Sequence, residues 1–336
     1  MKKVLSLSFG LTSAFFSQFL RGKFYDFDCV FMDTGGEHPG TYKFVRDCNS
    51  SFDLNLTAIR LVTSDRLGSG NTYEILNDVN NLRFDMVAFN RSMRKYGVPY
   101  VGGMMCTDRM KLGPYNKYCA DKYGKGNFET WLGIRIDEPA RFLGADLHRI
   151  LNNNFDLDFD DFICIYESVK HDGPSSLRGW FNAIPSEIHN KLFKAARKLH
   201  EKMKKSNIMY MAEVCDYEKQ DVIDWWDEQD FTLEISEHEG NCVFCPKKSD
   251  LKLAAAQRDN PGLYIEWLDA INDESVRTGK GTGSVETMYR GKQKLESVIA
   301  KFDGSTGKEI KQRIKGARMY DSGSCSESCE VFSCAM

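Results

Sequence analysis

The most constraining feature of this chain is the alternation in its first sixty residues. Lys3–Ser8 is a short apolar run of strand length, and Thr12–Leu20 places Phe15, Phe16, Phe19 and Leu20 at helical spacing. A second apolar run, Asp28–Asp33, stops at the turn Thr34-Gly35-Gly36. Thr41–Phe52 reads as a helix and Leu54–Val62 as a third strand. This β-α-β-α-β order predicts a parallel sheet with right-handed crossovers. Open parallel sheets bind ligands outside the carboxyl ends of their strands, and both Ser8-Phe9-Gly10 and Asp33-Thr34-Gly35 lie at such ends.

Farther along, Ser64–Asn71 is a polar, Gly-rich loop and Asn77–Tyr96 has a helical pattern. Gly102–Cys106 is a turn, Pro114–Lys122 a helix and Trp131–Ile136 a strand. Glu138–Asn152 is expected to be helical, with Pro139 in its first turn. Ser186–Lys205 is a strongly amphipathic helix with its basic face outward, Ile208–Val214 a strand and Glu218–Glu228 a helix. Ser249–Gln257, Gly262–Asn272 and Val285–Phe302 close the pattern as helices. The expected fold is α/β: an open parallel sheet with helices on both faces, plus a mainly helical insertion and C-terminal region. Its divisions are an α/β core at 1–143, a helical insertion at 144–206, a continuation of the core at 207–250, and a helical region with a Cys-rich tail at 251–336.

Bulk properties narrow the function. A net charge of −3 over 336 residues gives no global basic field of the kind that advertises nucleic-acid binding. The basic runs Lys191–Lys205 and Lys308–Arg318 read first as solvated helix faces, with RNA or DNA contact as the alternative. Serines interrupt the apolar run at the N-terminus and no small-residue cleavage site follows it. No stretch has the length of an apolar membrane span, so a cytoplasmic protein is expected. In a reducing compartment the 11 cysteines are not expected to pair as disulfides. Cys29, Cys48 and Cys164 read as small core residues, whereas Cys106, Cys242, Cys245, Cys325, Cys329 and Cys334 sit among Gly, Ser, Asn and charged residues.

Two constellations carry chemistry. Ser8, Phe9, Gly10, Thr12 and Ser13 join the first strand to the first helix, where small residues let backbone N–H groups and hydroxyls face an anion. Taken alone, such a turn is more often structural. Cys242-Val243-Phe244-Cys245 is a tight pair of soft ligands able to grip zinc or one corner of an iron–sulfur cluster. A redox couple and a plain structural turn are the alternatives. Arg109, Lys111 and Arg135 are the cations expected around phosphates, against a reading as ordinary surface charge.

Ser8-Phe9-Gly10 with Ala14, Asp33-Thr34-Gly35 with Pro39 and Thr41-Tyr42, and Leu54-Asn55-Leu56 together resemble the N-terminal half of phosphoadenylylsulfate and adenylylsulfate reductases of the PP-loop superfamily. Cys106 to Lys111 with Pro114, and Leu132-Gly133-Ile134-Arg135, are similar to later segments of the same family. Glu213 to Lys248 looks like phage- and prophage-encoded reductase-like members. The resemblance implies an adenosine nucleotide (adenylylsulfate, phosphoadenylylsulfate or ATP) held by the first loop and by Asp33, Thr34 and Gly35. It also implies a 4Fe–4S cluster on Cys106, Cys242 and Cys245, with zinc as the alternative metal. Met105 stands where the family has a cysteine, so a fourth ligand would come from Cys119, Cys215 or the tail, or one iron stays open. The catalytic thiol would be Cys329 or Cys325, with a thiol reductant such as thioredoxin as partner. The expected activity is sulfonucleotide reduction. Thr12-Ser13 is nearer the ATP-cleaving pattern, which keeps open ATP-dependent sulfur transfer to tRNA or DNA. A non-catalytic nucleotide-binding module is the third reading.

Overall fold

In the computed structural model, which describes residues 1–23, 26–64, 66–103 and 105–317, six strands form one sheet. They are β1 (Lys2–Leu7), β2 (Phe27–Asp33), β3 (Thr57–Val62), β4 (Thr72–Leu76), β5 (Phe128–Leu132) and β6 (Ile208–Tyr210), in spatial order β4-β3-β2-β1-β5-β6. All neighbours are parallel except β3 and β4, which pair antiparallel with Ile59 opposite Ile75. The expectation of an all-parallel sheet is therefore corrected at one edge. Residues 72–76 are nowhere fully buried, and an edge strand reached by a Gly-containing loop returns alongside its predecessor without a crossover.

Alternate side chains of the central strands enter different cores. Val4, Val30, Met32 and Ile59 pack on Tyr115, Tyr118 and Cys119 on one face. Leu5, Leu7, Cys29, Phe31 and Ala58 pack on the other, against Phe16, Leu20, Phe44, Val45 and Trp226. This second layer is made by α1 (Leu11–Lys23), α2 (Pro39–Ser51) and a helix that follows β6. Two more helices, α3 (Val87–Tyr96) and α4 (Gly113–Tyr123), precede β5. The helix expected over Asn77–Tyr96 starts only at Val87. Asp78 caps a short turn at Val79–Asn81, Met86 is left-handed at φ 54°, and the Asp85 carboxylate accepts from Val87 N at 3.0 Å.

The stretch 144–206 forms α5 (Ala145–Asn154), α6 (Phe159–Asp172), α7 (Leu177–Trp180) and α8 (Ser186–Ser206), which together connect β5 to its parallel neighbour β6. They share a core with Leu132, Ile134 and Tyr210. Gly144, at φ 105°, separates α5 from the turn at Pro139–Arg141, so the single helix expected over Glu138–Asn152 is broken. After β6, α9 (Lys219–Asp227) seats Trp226 against Phe44 with ring centroids 5.0 Å apart, and its indole donates to Leu11 O at 3.0 Å. A C-terminal layer follows: α10 (Asp250–Asp259), α11 (Pro261–Asn272), α12 (Leu295–Ala300) and α13 (Gly307–Ala317). The helix expected over Val285–Phe302 shrinks to α12, because Gly291 and Lys292 both take positive φ in the preceding turn. No helix among the described residues is long and apolar enough to cross a membrane.

Candidate functional site

The parallel register brings the carboxyl ends of β1, β2 and β5 to one edge, so the loops after Leu7, Asp33 and Leu132 converge there. A cleft opens between them, lined by Ser6, Leu7, Ser8, Ser13, Phe31, Met32, Glu37, Lys111, Leu132, Gly133, Ile134, Arg141 and Asn241. The lining mixes apolar side chains from the strand ends with the Ser6, Ser8 and Ser13 hydroxyls, the Glu37 carboxylate, the Asn241 amide and two cations.

The loop after β1 begins with a left-handed residue that is not glycine. Phe9 has φ 54°, and its buried ring meets Phe31 edge-on at 5.4 Å, so ring burial offsets a backbone cost of about 1 kcal/mol. Ser13 Oγ donates to Gly10 O at 3.1 Å and lies 3.2 Å from Ser8 Oγ, while Ala14 N reaches Gly10 O at 3.2 Å to start α1. The first turn of α1 carries no acidic residue, so its N-terminal partial positive charge is left for an anion. Gly133 stands over this loop. A Cβ there would lie 2.7 Å from Ser13 Cα, a contact only glycine permits.

The loop after β2 is built differently. Asp33 is fully buried and takes Arg60 Nε at 2.8 Å, with a second contact to the same guanidinium. Gly35 N at 2.9 Å and Tyr42 OH at 2.8 Å fill its other oxygen. Glu37 accepts from Thr34 Oγ1 at 2.7 Å and Tyr42 OH at 3.0 Å. Burial, reinforced by the nearby Glu37 charge, pushes the Asp33 carboxyl up to about 6 against the pull of Arg60. Burial and the same two carboxylates hold the Tyr42 phenol well above its ordinary value, which keeps it a donor. Gly35, at φ 73°, has no space for a side chain, since a Cβ would meet Asp85 Oδ1 at 2.4 Å.

The cysteine turn is docked on this second loop. Val243 N donates to Gly36 O at 3.0 Å, and Glu37 and Cys242 form an antiparallel bridge. Cys242 Sγ lies 3.6 Å from Thr34 Oγ1 and 4.0 Å from Glu37 Oε1. Cys245 N closes the turn onto Cys242 O at 3.2 Å, and Tyr289 OH braces it from behind by donating to Phe244 O at 2.9 Å. Cys106 opens a wide turn, Cys106–Leu112, and packs with Cys242 against the same apolar cluster. Burial, then the Glu37 charge, raises the Cys242 thiol well above its usual range, while Lys111 pulls it down. Burial and the Glu37 charge thus favour the neutral thiol at Cys242.

Of the expected phosphate cations, Lys111 lines the cleft. Arg135 reaches the first loop, donating to Thr12 Oγ1 at 2.7 Å, but is also held by Asp137 at 2.7 Å and lies near Glu138. Arg109 is placed elsewhere, half-exposed with its guanidinium 4.2 Å from the Tyr96 ring centroid. Arg141, not among the cations expected from the sequence, also lines the cleft; Glu138 holds its Nη1 at 2.8 Å and its Nε is buried without a hydrogen-bond partner. Cys119 and Cys215 are buried in two separate apolar cores, and Cys325, Cys329 and Cys334 lie outside the described residues. Glu37, Arg60, Tyr42 and Asn241 were not anticipated. The left-handed Asn241, at φ 53° after Gly240, is the one with a local signal.

A parallel α/β sheet whose first loop presents hydroxyls and a helix N-terminus to a cleft defines a nucleotide-binding protein of the PP-loop class. The chain belongs to the phosphoadenosine phosphosulfate reductase domain family, whose model matches residues 2–141. It is 34% identical over 337 residues to an uncharacterized nin region protein, ORF290, of Escherichia phage lambda, with 99% of this chain and 96% of that protein covered. No solved structure matches it.

Proposed function

We propose that the protein is a sulfonucleotide reductase-like enzyme that binds an adenosine nucleotide in the cleft and carries out sulfur chemistry beside a cysteine-held metal centre. The observation that carries this reading is the docking of the Cys242 turn onto the 34–37 loop, which brings Glu37 and Asn241, the neighbour of Cys242, into the lining of the cleft beside Ser8 and Ser13. The adenine would lie against Leu7, Phe31, Met32, Leu132 and Ile134. The phosphate and sulfate groups would face Ser8, Ser13 and the N-terminus of α1, with Lys111 and Arg141 supplying charge. Arg135 would act one step back, by holding Thr12. Asp33, Thr34 and Gly35 would shape the site through their internal hydrogen bonds.

Cys106, Cys242 and Cys245 would hold a 4Fe–4S cluster, with zinc the alternative. When bound, such a group would supply Lewis-acidic metal held by soft thiolates. The reductive step would be attack of a thiolate, from Cys329 or Cys325, on the sulfate sulfur. That step breaks the bond from sulfur to the phosphate oxygen, the nucleotide leaves with the electron pair, and a dithiol such as thioredoxin then releases sulfite.

The test is incubation of anaerobically purified protein with adenylylsulfate or phosphoadenylylsulfate and reduced thioredoxin. Sulfite release is expected, and it should be lost in Cys329→Ser or Cys325→Ser. Pyrophosphate release from ATP instead would move the protein to the ATP-cleaving class. Tight nucleotide binding with no turnover would leave a binding module. Metal analysis and the visible spectrum separate the centres, since a colourless zinc protein would overturn the cluster.

A further inference from the structure

The long helix α8 carries a charge pattern that the nucleotide site does not use. Lys191, Lys194, Lys198, Lys202 and Lys205 follow one another at steps of three, four, four and three residues. At 100° per residue these steps keep all five within an arc of about 80°, along about 21 Å of helix. Four of them are exposed and Lys202 is half-buried. Within that arc and length the helix has no carboxylate: Glu187 precedes Lys191 by one turn, and Glu201 lies just outside its edge. From the neighbouring helix α5, Asp146 faces the row, 3.5 Å from Lys198. Like charges three and four residues apart each cost a helix about 0.2–0.5 kcal/mol. Four successive pairs of this kind stand in a chain whose overall charge is −3.

The opposite side of α8 excludes one polyanionic partner. Leu192, Ala195, Ala196, Leu199 and Met203 are buried against α5, α6 and the end of the sheet. A helix lying in a membrane surface needs a free apolar face to insert, and α8 has none. The row also has direction. Lys198 and Lys202 border a hollow closed by Phe142–Asp146, the residues that follow Arg141 of the nucleotide cleft. One turn beyond Lys202, Lys205 shares a groove with Asp108, Asn116, Lys125 and Asn207.

We propose that this lysine row is a docking face for a nucleic-acid strand, which would lie along α8 past the hollow at Phe142–Asp146 and the Lys125 groove. A strand of duplex presents one phosphate per about 3.4 Å, so 21 Å offers roughly six phosphates to five lysines. Binding is electrostatic and independent of sequence.

The experiment uses the full chain, a labelled 20-nucleotide RNA strand and a duplex DNA of the same length, with affinity measured by anisotropy against salt concentration. Five phosphate contacts give a slope of roughly −3.5 for the single strand, a loss of roughly 100-fold between 50 and 200 mM salt. The triple variant Lys191→Gln, Lys194→Gln, Lys205→Gln should flatten the slope to roughly −1.4 and weaken binding more than tenfold at low salt. A control triple of equal charge change, Lys219→Gln, Lys280→Gln, Lys308→Gln, should leave the slope unaltered. Adenosine-nucleotide binding by both triples reports that they fold. Equal losses in the two triples, no loss in the first, or binding to phosphatidylserine vesicles without binding to either nucleic acid would each overturn the proposal.

Discussion

The loops after β1 and β2 sit side by side at one sheet edge, yet they satisfy their polar groups in opposite ways. In the first, Ser8 and Ser13 line the cleft beside the start of α1, and the side-chain ties inside the loop are Ser13 Oγ to Gly10 O and the 3.2 Å contact of the Ser8 and Ser13 hydroxyls. In the second, Asp33 is closed off by Arg60, Tyr42 and Gly35 N, and Glu37 is held by Thr34 and Tyr42. One loop spends its donors outward and the other inward. A carboxylate at a strand end is therefore not a ligand by position. Here Asp33 sets the shape of the loop on which the Cys242 turn is docked, and the open hydroxyls next to it are left for an anion.

The comparison breaks most severely at Asp33. Asp33→Ala leaves Arg60 buried against Asp85 alone, Tyr42 with Glu37 alone and Gly35 N without its carboxylate, so a loss of about 3–5 kcal/mol in urea unfolding is expected. If the second loop were a ligand site only, stability would hold and nucleotide affinity alone would fall. Next in size is Gly133→Ala. Its methyl would press on Ser13 Cα, so the first loop must shift. About 1–3 kcal/mol of stability is expected to go, together with most nucleotide binding. Calorimetry showing wild-type affinity would mean that the loop yields without consequence.

Arg141→Ala sharpens the contrast from the other side. It removes a cation that faces the cleft while Arg135 stays on Thr12, Asp137 and Glu138. Nucleotide affinity should drop about 10- to 100-fold, the worth of one charged hydrogen bond, with little change in unfolding midpoint. Equal affinity with and without Arg141 would hand the anion to Lys111 alone.

Much of this arrangement was legible beforehand, for a physical reason. β1, β2 and β3 are buried on both faces and read as continuous apolar runs, and the small residues between strand and helix mark the turns. Local pattern thus locates the two loops and the cysteine turn. It does not show which partner a side chain will meet. Arg60 reads as an outward strand residue, yet it is drawn in by Asp33 across the register and by Asp85 from a loop. Glu37 gains its place from Cys242, 205 positions away. Arg109 follows the family spacing for a phosphate contact, but Tyr96 offers its ring to the guanidinium. β4 was missed because Thr72–Leu76 has one face only partly covered, with Ile75 50% exposed.

The smallest effect is a slope rather than a loss, and it sets the two ends of β2 against each other. At one end, burial pushes the Asp28 carboxyl up, but Lys122, Tyr123 and Lys2 outweigh it and bring it to about 2. At the other end, burial and Glu37 raise Asp33 to about 6. For Asp28 the folded state holds its proton less tightly than the unfolded chain. Its contribution is present above the ordinary carboxyl value and is lost as pH falls through about 2. For Asp33 the folded state holds its proton more tightly, so that contribution is full below the ordinary value and is lost as pH rises through about 6. Urea midpoints of the wild type, Asp28→Asn and Asp33→Asn between pH 4 and 7 separate the two. The deficit of Asp33→Asn should shrink as pH rises across that window, because the wild type alone must ionise a buried carboxyl. The deficit of Asp28→Asn should stay level, since its transition lies below the window. A level deficit for Asp33→Asn would mean that Arg60 keeps the carboxylate charged throughout, making the inward loop a permanent ion pair rather than one that takes up a proton at Asp33.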